Sequence, residues 1–237
     1  MELRSNVIEV SNLSVRYHDL SRSIKNPFGK TTIYDALEDI IFAIPKGQHT
    51  ALLGRNGAGK STLLRSIGGW IRPHEGEIYT KGRVLLLAGI NPGFDNNISG
   101  RENIRRLGLV YGINESEITS FIDDVINFAD IGEAINRPIK GYSTGMKGKI
   151  GFGIITGLNP EILLMDETLG VGDLEFRKKA EKRLELFMER AGTILISTHS
   201  LGLAKELCKI GIVLDKGKVA YEGPIEESIK KYREICS

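Results

Sequence analysis

The stretch Ala51-Leu52-Leu53-Gly54-Arg55-Asn56-Gly57-Ala58-Gly59-Lys60-Ser61-Thr62 joins an apolar run to the start of a helical pattern. From Gly54 to Ser61 it follows G-x-x-x-x-G-K-[ST] in full. Glycines there let successive backbone N–H groups turn inward onto phosphate oxygens with no side chain in the way. A helix opening near Lys60 would aim the positive end of its dipole at the same anion. Lys60 would reach the outer phosphates, and Ser61 would ligate Mg²⁺. Backbone or side-chain groups of Asn56, Gly57, Ala58 and Thr62 complete the cradle. The alternative is a glycine-rich turn with no ligand; a strand before it and a helix after it speak against that.

A metal at such a loop needs a second ligand. Ile162-Leu163-Leu164-Met165-Asp166-Glu167 supplies an apolar strand ending in two carboxylates. Asp166 would hold Mg²⁺ or its water, and Glu167, one residue further, would polarise an attacking water.

Outward from these two segments, short apolar runs at 7–17, 40–44, 50–53, 77–79, 84–87, 162–165, 193–196, 212–214 and 219–221 read as strands. Helical patterns cover 61–67, 174–189 and 201–207. Polar residues from Asp19 to Thr32, with Pro27 and Gly29, read as a loop. Between Ser99 and Gly157 the pattern is mostly helical. Ser99 is placed to cap one helix, and Ile118, Ile122, Val125, Ile126 and Ala129 recur at the spacing of another. Strand alternating with helix predicts an α/β lobe with a parallel sheet covered on both faces. The expected division is 1–89 and 159–237 for that lobe, with 90–158 as a helical insertion.

The 237 residues are 26% charged and 41% hydrophobic, an ordinary globular composition. With 32 basic and 30 acidic residues, the net charge of +2 gives no electrostatic case for nucleic acid as a partner. Two cysteines, Cys208 and Cys236, show neither metal-ligand spacing nor a disulfide framework, which suits a reducing cytoplasm. The start, MELRSNVIEV, does not read as a signal peptide, and no run is long enough to span a membrane. Any action at a membrane would require another chain to hold the protein there.

Gly141-Tyr142-Ser143-Thr144-Gly145-Met146 is a second glycine-bearing loop that opens a helix. The phosphates already have one cradle within the chain. The consistent solution is that this loop serves the nucleotide of a second copy, giving a homodimer with two interface ATPs. A plain serine-capped helix is the other reading.

Together these ordered motifs resemble the ATPase subunits of ABC transporters over nearly the whole chain. The resemblance implies a P-loop α/β core with a small antiparallel β subdomain and an inserted α-helical subdomain. It makes Gly54–Thr62 the Walker A motif and 162–167 the Walker B motif. Ser143 and Gly145 fall in the signature loop, where the usual form is Ser-Gly-Gly-Gln. Gly170-Val171-Gly172-Asp173 is similar to the D-loop, with Asp173 reaching across the dimer. His199 is similar to the switch histidine that contacts the γ-phosphate, and Tyr17 to the aromatic that stacks on adenine. The implied cofactors are ATP and Mg²⁺. The glutamine usual at the start of the helical insertion is missing, since Gln48 precedes the P-loop. Asn91 or an extra water is left for that role.

Three further features resemble the subgroup that exports lipid-linked polysaccharides: Tyr142 before the signature, Gly93-Phe94 followed by Ser99-Gly100-Arg101-Glu102-Asn103, and Val171-Gly172-Asp173. The polar excursion at 19–32 is similar too. O-antigen, capsule or teichoic acid polymers are the implied cargo, carried through a separate integral-membrane permease. The subunit would sit peripherally on the cytoplasmic face of the inner membrane. Some members of the subgroup add a carbohydrate-binding domain, which is not expected within these residues. An ABC ATPase for another export substrate, or a non-transport ABC ATPase, is the alternative.

Overall fold

A computed structural model describes residues 5–20, 31–87, 92–166 and 174–237. The chain divides into two units. The first comprises Met1–Leu86, Glu161–Glu167 and Gly192–Ser237; the second comprises Leu87–Pro160 and Thr168–Ala191.

The first unit holds two sheets. Strands β1 (Asn6–Leu20), β2 (Thr31–Pro45) and β4 (Glu75–Thr80) form an antiparallel sheet in the order β2-β1-β4. Ile8, Val10, Leu13 and Val15 face Leu37, Ile40, Phe42 and Ile44 in its core. A bulge breaks the register between Val10 and Leu13. There Asn12 and Asp39 take positive φ angles of 49° and 51°. The Asn12 Nδ2 donates to Asp39 Oδ1 at 2.8 Å, so the irregularity carries its own polar clasp.

The strands run into both ends of the expected loop at 19–32, whose residues 21–30 lie outside those described. Asp19 pairs with Thr32 and Leu20 with Thr31, so β2 starts well before the apolar run at Ile40. The ladder is made of backbone hydrogen bonds, which polar residues supply as well as apolar ones do.

The second sheet runs β5-β6-β7-β3-β8-β9. Its members are β3 (His49–Gly54), β5 (Val84–Leu87), β6 (Ile162–Asp166), β7 (Thr193–Ser197), β8 (Ile210–Asp215) and β9 (Lys218–Pro224). β6, β7, β3 and β8 are mutually parallel and almost wholly buried, as continuous apolar runs require. β9 is antiparallel to β8, so the sheet is mixed rather than all parallel. The cause is the two-residue turn Lys216-Gly217, with φ of 47° and 79°, which is too short for a crossover.

Helix α1 (Lys60–Ile67) lays Leu63, Leu64 and Ile67 into the same core as the hairpin and β6. Two further helices, α6 (Leu201–Leu207) and α7 (Ile225–Cys236), complete the described part of this unit.

The second unit is helical: α2 (Gly100–Val110), α3 (Ile118–Ala129), α4 (Thr144–Gly157) and α5 (Leu174–Arg190). Phe128, Phe152 and Phe176 meet with centroids 5.2–6.4 Å apart and join α3, α4 and α5. Arg183 of α5 lies 4.4 Å from the Phe128 centroid and donates through Nη1 to Asp124 at 3.0 Å and through Nε to Thr156 Oγ1 at 2.8 Å. α5 is thereby fastened to α3 and α4. No helix among the described residues is long and apolar enough to cross a membrane.

Candidate nucleotide-binding site

Between β3 and α1 the loop turns through Gly57 (φ 81°) and Gly59 (φ 104°). Gly59 has no room for a side chain: a Cβ there would lie 2.7 Å from Leu37 Cδ2 and 2.8 Å from the Ala36 carbonyl oxygen. The loop is pinned from outside by β2 and by the β8–β9 turn, whose Gly217 N–H donates to the Ala58 carbonyl at 3.1 Å. Asn56 and Gly57 are exposed, whereas Ala58 is buried.

α1 begins at Gly59 with no side-chain cap and no acidic residue in its first turn. A helix start of this kind favours an anion, with the helix dipole acting in the same direction. Lys60 is only 8% exposed, and its Nζ donates to the carbonyls of Gly54 at 2.6 Å and Arg55 at 3.1 Å. A largely buried ammonium held within the loop is the charge complement a triphosphate requires. Ser61 and Thr62 are half-buried on the first turn.

Asp166 ends β6 in register with Ser197 at the end of β7, and Ser197 pairs in turn with Leu52 of β3. Asp166 and Ser197 therefore end their strands at the same edge of the sheet from which β3 runs into the loop. Asp166 and Ser61 offer a carboxylate and a hydroxyl, hard oxygen donors of the kind Mg²⁺ takes. No cluster of three or more His, Cys, Asp or Glu side chains suited to a metal exists among the described residues. Two protein oxygens plus phosphate and water fit Mg²⁺ better than a cage made by protein alone.

The Ser197 Oγ is fully buried and has no hydrogen-bond partner among the described residues. Sequence reading passes over it, because a serine closing Thr-Ile-Leu-Ile-Ser looks like the ordinary polar end of an apolar strand. His199 lies two residues further, exposed, just before α6. Tyr17, on β1, packs against the core of this unit with its Oη 3.5 Å from Thr62 Oγ1. Gly54, Asn56 to Thr62, Tyr17, Asp166 and His199 thus all belong to the first unit. Glu167, Asp173 and Asn91 lie outside the described residues.

Ser143 and Gly145 belong to the second unit. The Ser143 Oγ caps α4 by accepting from the Met146 N–H at 3.2 Å. A Cβ on Gly145 would meet only Ser143 Oγ, at 3.9 Å, so the helix start is open to close approach.

The flanking motifs position this loop. Tyr142 is buried and donates its hydroxyl to the Ala134 carbonyl at 2.6 Å, and burial pushes its phenol above the ordinary value. A Cβ on Gly100 would lie 2.5 Å from that hydroxyl, so only glycine fits there. Ser99 and Glu102 form a reciprocal capping box on α2. Asn103, fully buried, accepts from the Asp95 N–H at 2.8 Å and donates to the carbonyls of Asp95 and Ser99 at 2.9 and 3.0 Å. Gly100 and Tyr142 are thus in close contact, which joins the Ser99–Asn103 segment to the residue before Ser143.

An uncapped glycine loop between a buried strand and a helix, with an aspartate ending a parallel strand two places away in the same sheet, defines a P-loop nucleotide-binding protein. The family model described as "ABC transporter" matches residues 37–170, and the chain belongs to that family. The chain is 35% identical to the O-antigen export system ATP-binding protein RfbB of Klebsiella pneumoniae, over 98% of this chain and 99% of that one. It is 38% identical to the teichoic acids export ATP-binding protein TagH of Bacillus cereus, over 92% of this chain but only 40% of that relative's length. Among solved structures, one described as the ATP-binding subunit of an ABC transporter superposes with a TM-score of 0.74 at 25% identity, over 98% of this chain and 100% of that one.

Proposed function

We propose that this chain is the ATP-hydrolysing subunit of an ABC exporter for lipid-linked polysaccharide of the O-antigen, capsule or teichoic acid type. The observation that carries the reading is the packing of the Ser99–Asn103 and Tyr142 motifs beside Ser143, together with near full-length similarity to an O-antigen export ATP-binding protein. Residues 1–89 and 159–237 would form the nucleotide-binding lobe and 90–158 the helical subdomain, with α5 the exception, since Thr168–Ala191 clusters with the second unit.

In the proposed site, backbone N–H groups from Gly54 to Ser61 and the Lys60 ammonium bind the phosphates. Asn56, Gly57, Ala58, Gly59 and Thr62 line the cradle. The lysine exchanges its two loop carbonyls for phosphate oxygens, so the positive charge stays partnered throughout. Tyr17 stacks on the adenine. Ser61 and Asp166 would hold Mg²⁺, which would neutralise charge on the outer phosphates. Glu167 accepts a proton from the attacking water, and His199 contacts the γ-phosphate. Ser143 and Gly145 of a second copy close over the same nucleotide, and Asp173 crosses the interface. The chain acts as a homodimer with two interface ATPs, bound to an integral-membrane permease on the cytoplasmic face of the inner membrane.

The test is genetic. The gene is deleted in its source organism, and lipid-linked glycans are extracted from the cytoplasmic side and from the cell surface. Polymer accumulating inside and missing outside, restored by the wild-type gene but not by Lys60→Ala, is the expected result. Unchanged glycans in both fractions would reject polysaccharide export while leaving the ATPase reading in place.

A further inference from the structure

We propose that Tyr34 joins Tyr17 to form a two-ring shelf for the nucleotide base, and that this shelf favours purine over pyrimidine triphosphates. The proposal rests on the reading of Tyr17 as the residue beneath the base. Nothing in the motifs that identify the site points to Tyr34.

Tyr17 and Tyr34 are direct cross-strand partners in the β1–β2 hairpin and share one of its faces. Their ring centroids are 5.4 Å apart with the planes inclined by 31°. That spacing is too close to admit a base between the rings. They instead present one bent surface, of which Tyr17 is the inner part and Tyr34, 52% exposed, the outer. The inner end abuts the phosphate cradle, since Tyr17 Oη is 3.5 Å from Thr62 Oγ1 on the first turn of α1.

Tyr34 is also held in place relative to that cradle. Two residues along the strand, the Ala36 carbonyl packs on Gly59 so closely that a Cβ would not fit. The Glu38 N–H donates to Gly217 at 2.8 Å, and the Gly217 N–H donates to Ala58 of the loop itself at 3.1 Å. The shelf and the phosphate site are thus parts of one braced structure, and a base extending from the bound phosphates meets both rings.

Area sets the selectivity. A fused bicyclic purine spans two adjacent rings, whereas a single-ring pyrimidine is covered by Tyr17 alone. Removing Tyr34 therefore takes stacking from the purine and leaves the pyrimidine nearly unaffected.

The experiment is calorimetric titration of the full chain with three probes: the β,γ-imido analogue of ATP, the corresponding uridine analogue, and inorganic tripolyphosphate. In Tyr34→Ala the adenosine analogue should weaken about tenfold, the scale of one aromatic stacking contact. The uridine analogue and tripolyphosphate should bind as they do to wild type, and Tyr34→Phe should restore adenosine affinity. Equal loss of all three probes, or no loss of any, overturns the shelf. Tyr17→Ala separates the two readings. If it weakens the adenosine analogue while Tyr34→Ala does not, only the shelf fails. If Tyr17→Ala leaves adenosine affinity intact, the base-stacking role of Tyr17 fails as well. Should Tyr34→Ala not fold, Tyr34→Leu keeps apolar bulk without the aromatic face and is read against the same three probes.

Discussion

Gly59 of the phosphate loop lies directly against Ala36 of the hairpin: a Cβ at Gly59 would sit 2.8 Å from the Ala36 carbonyl oxygen and 2.7 Å from Leu37 Cδ2. The glycine also holds φ at 104°. Gly59→Ala therefore meets two penalties at once. The backbone conformation costs about 1–2 kcal/mol for a residue with a Cβ, and forcing a methyl into the contact costs about 1–3 kcal/mol more. Denaturant unfolding should show this loss of stability. Nucleotide affinity should fall with it, because relief of the clash moves either the loop or β2. Unchanged stability and affinity would mean that the contact is looser than its geometry implies.

This contact also marks the limit of what the sequence could tell. Gly59 was legible as part of a phosphate loop, because glycine, lysine and hydroxyl at fixed spacing have a local mechanical meaning. Its neighbour Ala36 was not, because Ile33-Tyr34-Asp35-Ala36-Leu37 shows no clean alternation of apolar and polar residues to read. The four parallel strands were visible as continuous apolar runs. The direction of β9 was not, since side-chain periodicity is the same in parallel and antiparallel strands, although Lys216-Gly217 was a turn signal in plain view. Gly100 and Tyr142 were both recognisable as motif residues. That one exists to make room for the hydroxyl of the other is a relation between distant positions, and only the folded chain displays it.

Arg183 is the fastening of α5, and its loss should loosen the helical unit. Its side chain is 17% exposed and combines a two-pronged pair with Asp124, a bond to Thr156 Oγ1 and a face against Phe128. Arg183→Ala should destabilise by about 1–3 kcal/mol, through lost charged hydrogen bonds and a lost ring contact. Arg183→Lys should recover little of this, because an ammonium cannot serve Asp124, Thr156 and the ring at once. Thermal unfolding of both variants, with Asp124→Ala completing a double-mutant cycle, measures the coupling. A lysine variant as stable as wild type would reduce the interaction to simple charge.

The two thiols should behave oppositely. Cys208 is buried, and burial pushes its thiol from an ordinary 9.0 up to about 12, while Cys236 is exposed. At pH 8 a thiol reagent should modify one cysteine per native chain, and both after denaturation. The same shift makes a pH prediction. The folded chain keeps the Cys208 proton to a higher pH than the unfolded chain does. Its contribution to stability is therefore whole below pH 9 and is lost as pH rises toward 12, by about 1.4 kcal/mol per pH unit for one proton. Cys208→Ala should lose that portion of the slope. Two thiols reacting at equal rates in the native chain would contradict the burial.

Lys60→Ala and Glu167→Gln should separate binding from hydrolysis. Lys60 is buried with its ammonium against the Gly54 and Arg55 carbonyls, so its removal takes away the charge proposed to bind the phosphates and also the clasp that shapes the loop. Lys60→Ala should lose both ATP binding and turnover. Glu167→Gln keeps the cradle and removes only the proposed proton acceptor, so ATP should bind and stay. If Ser143 and Gly145 of a second copy cover that ATP, trapped nucleotide holds two chains together, and light scattering at saturating MgATP should report twice the monomer mass. Lys60→Ala should stay monomeric under the same conditions. A monomeric Glu167→Gln with ATP demonstrably bound would count against interface sites, and ATPase activity surviving in Lys60→Ala would count against the phosphate loop itself.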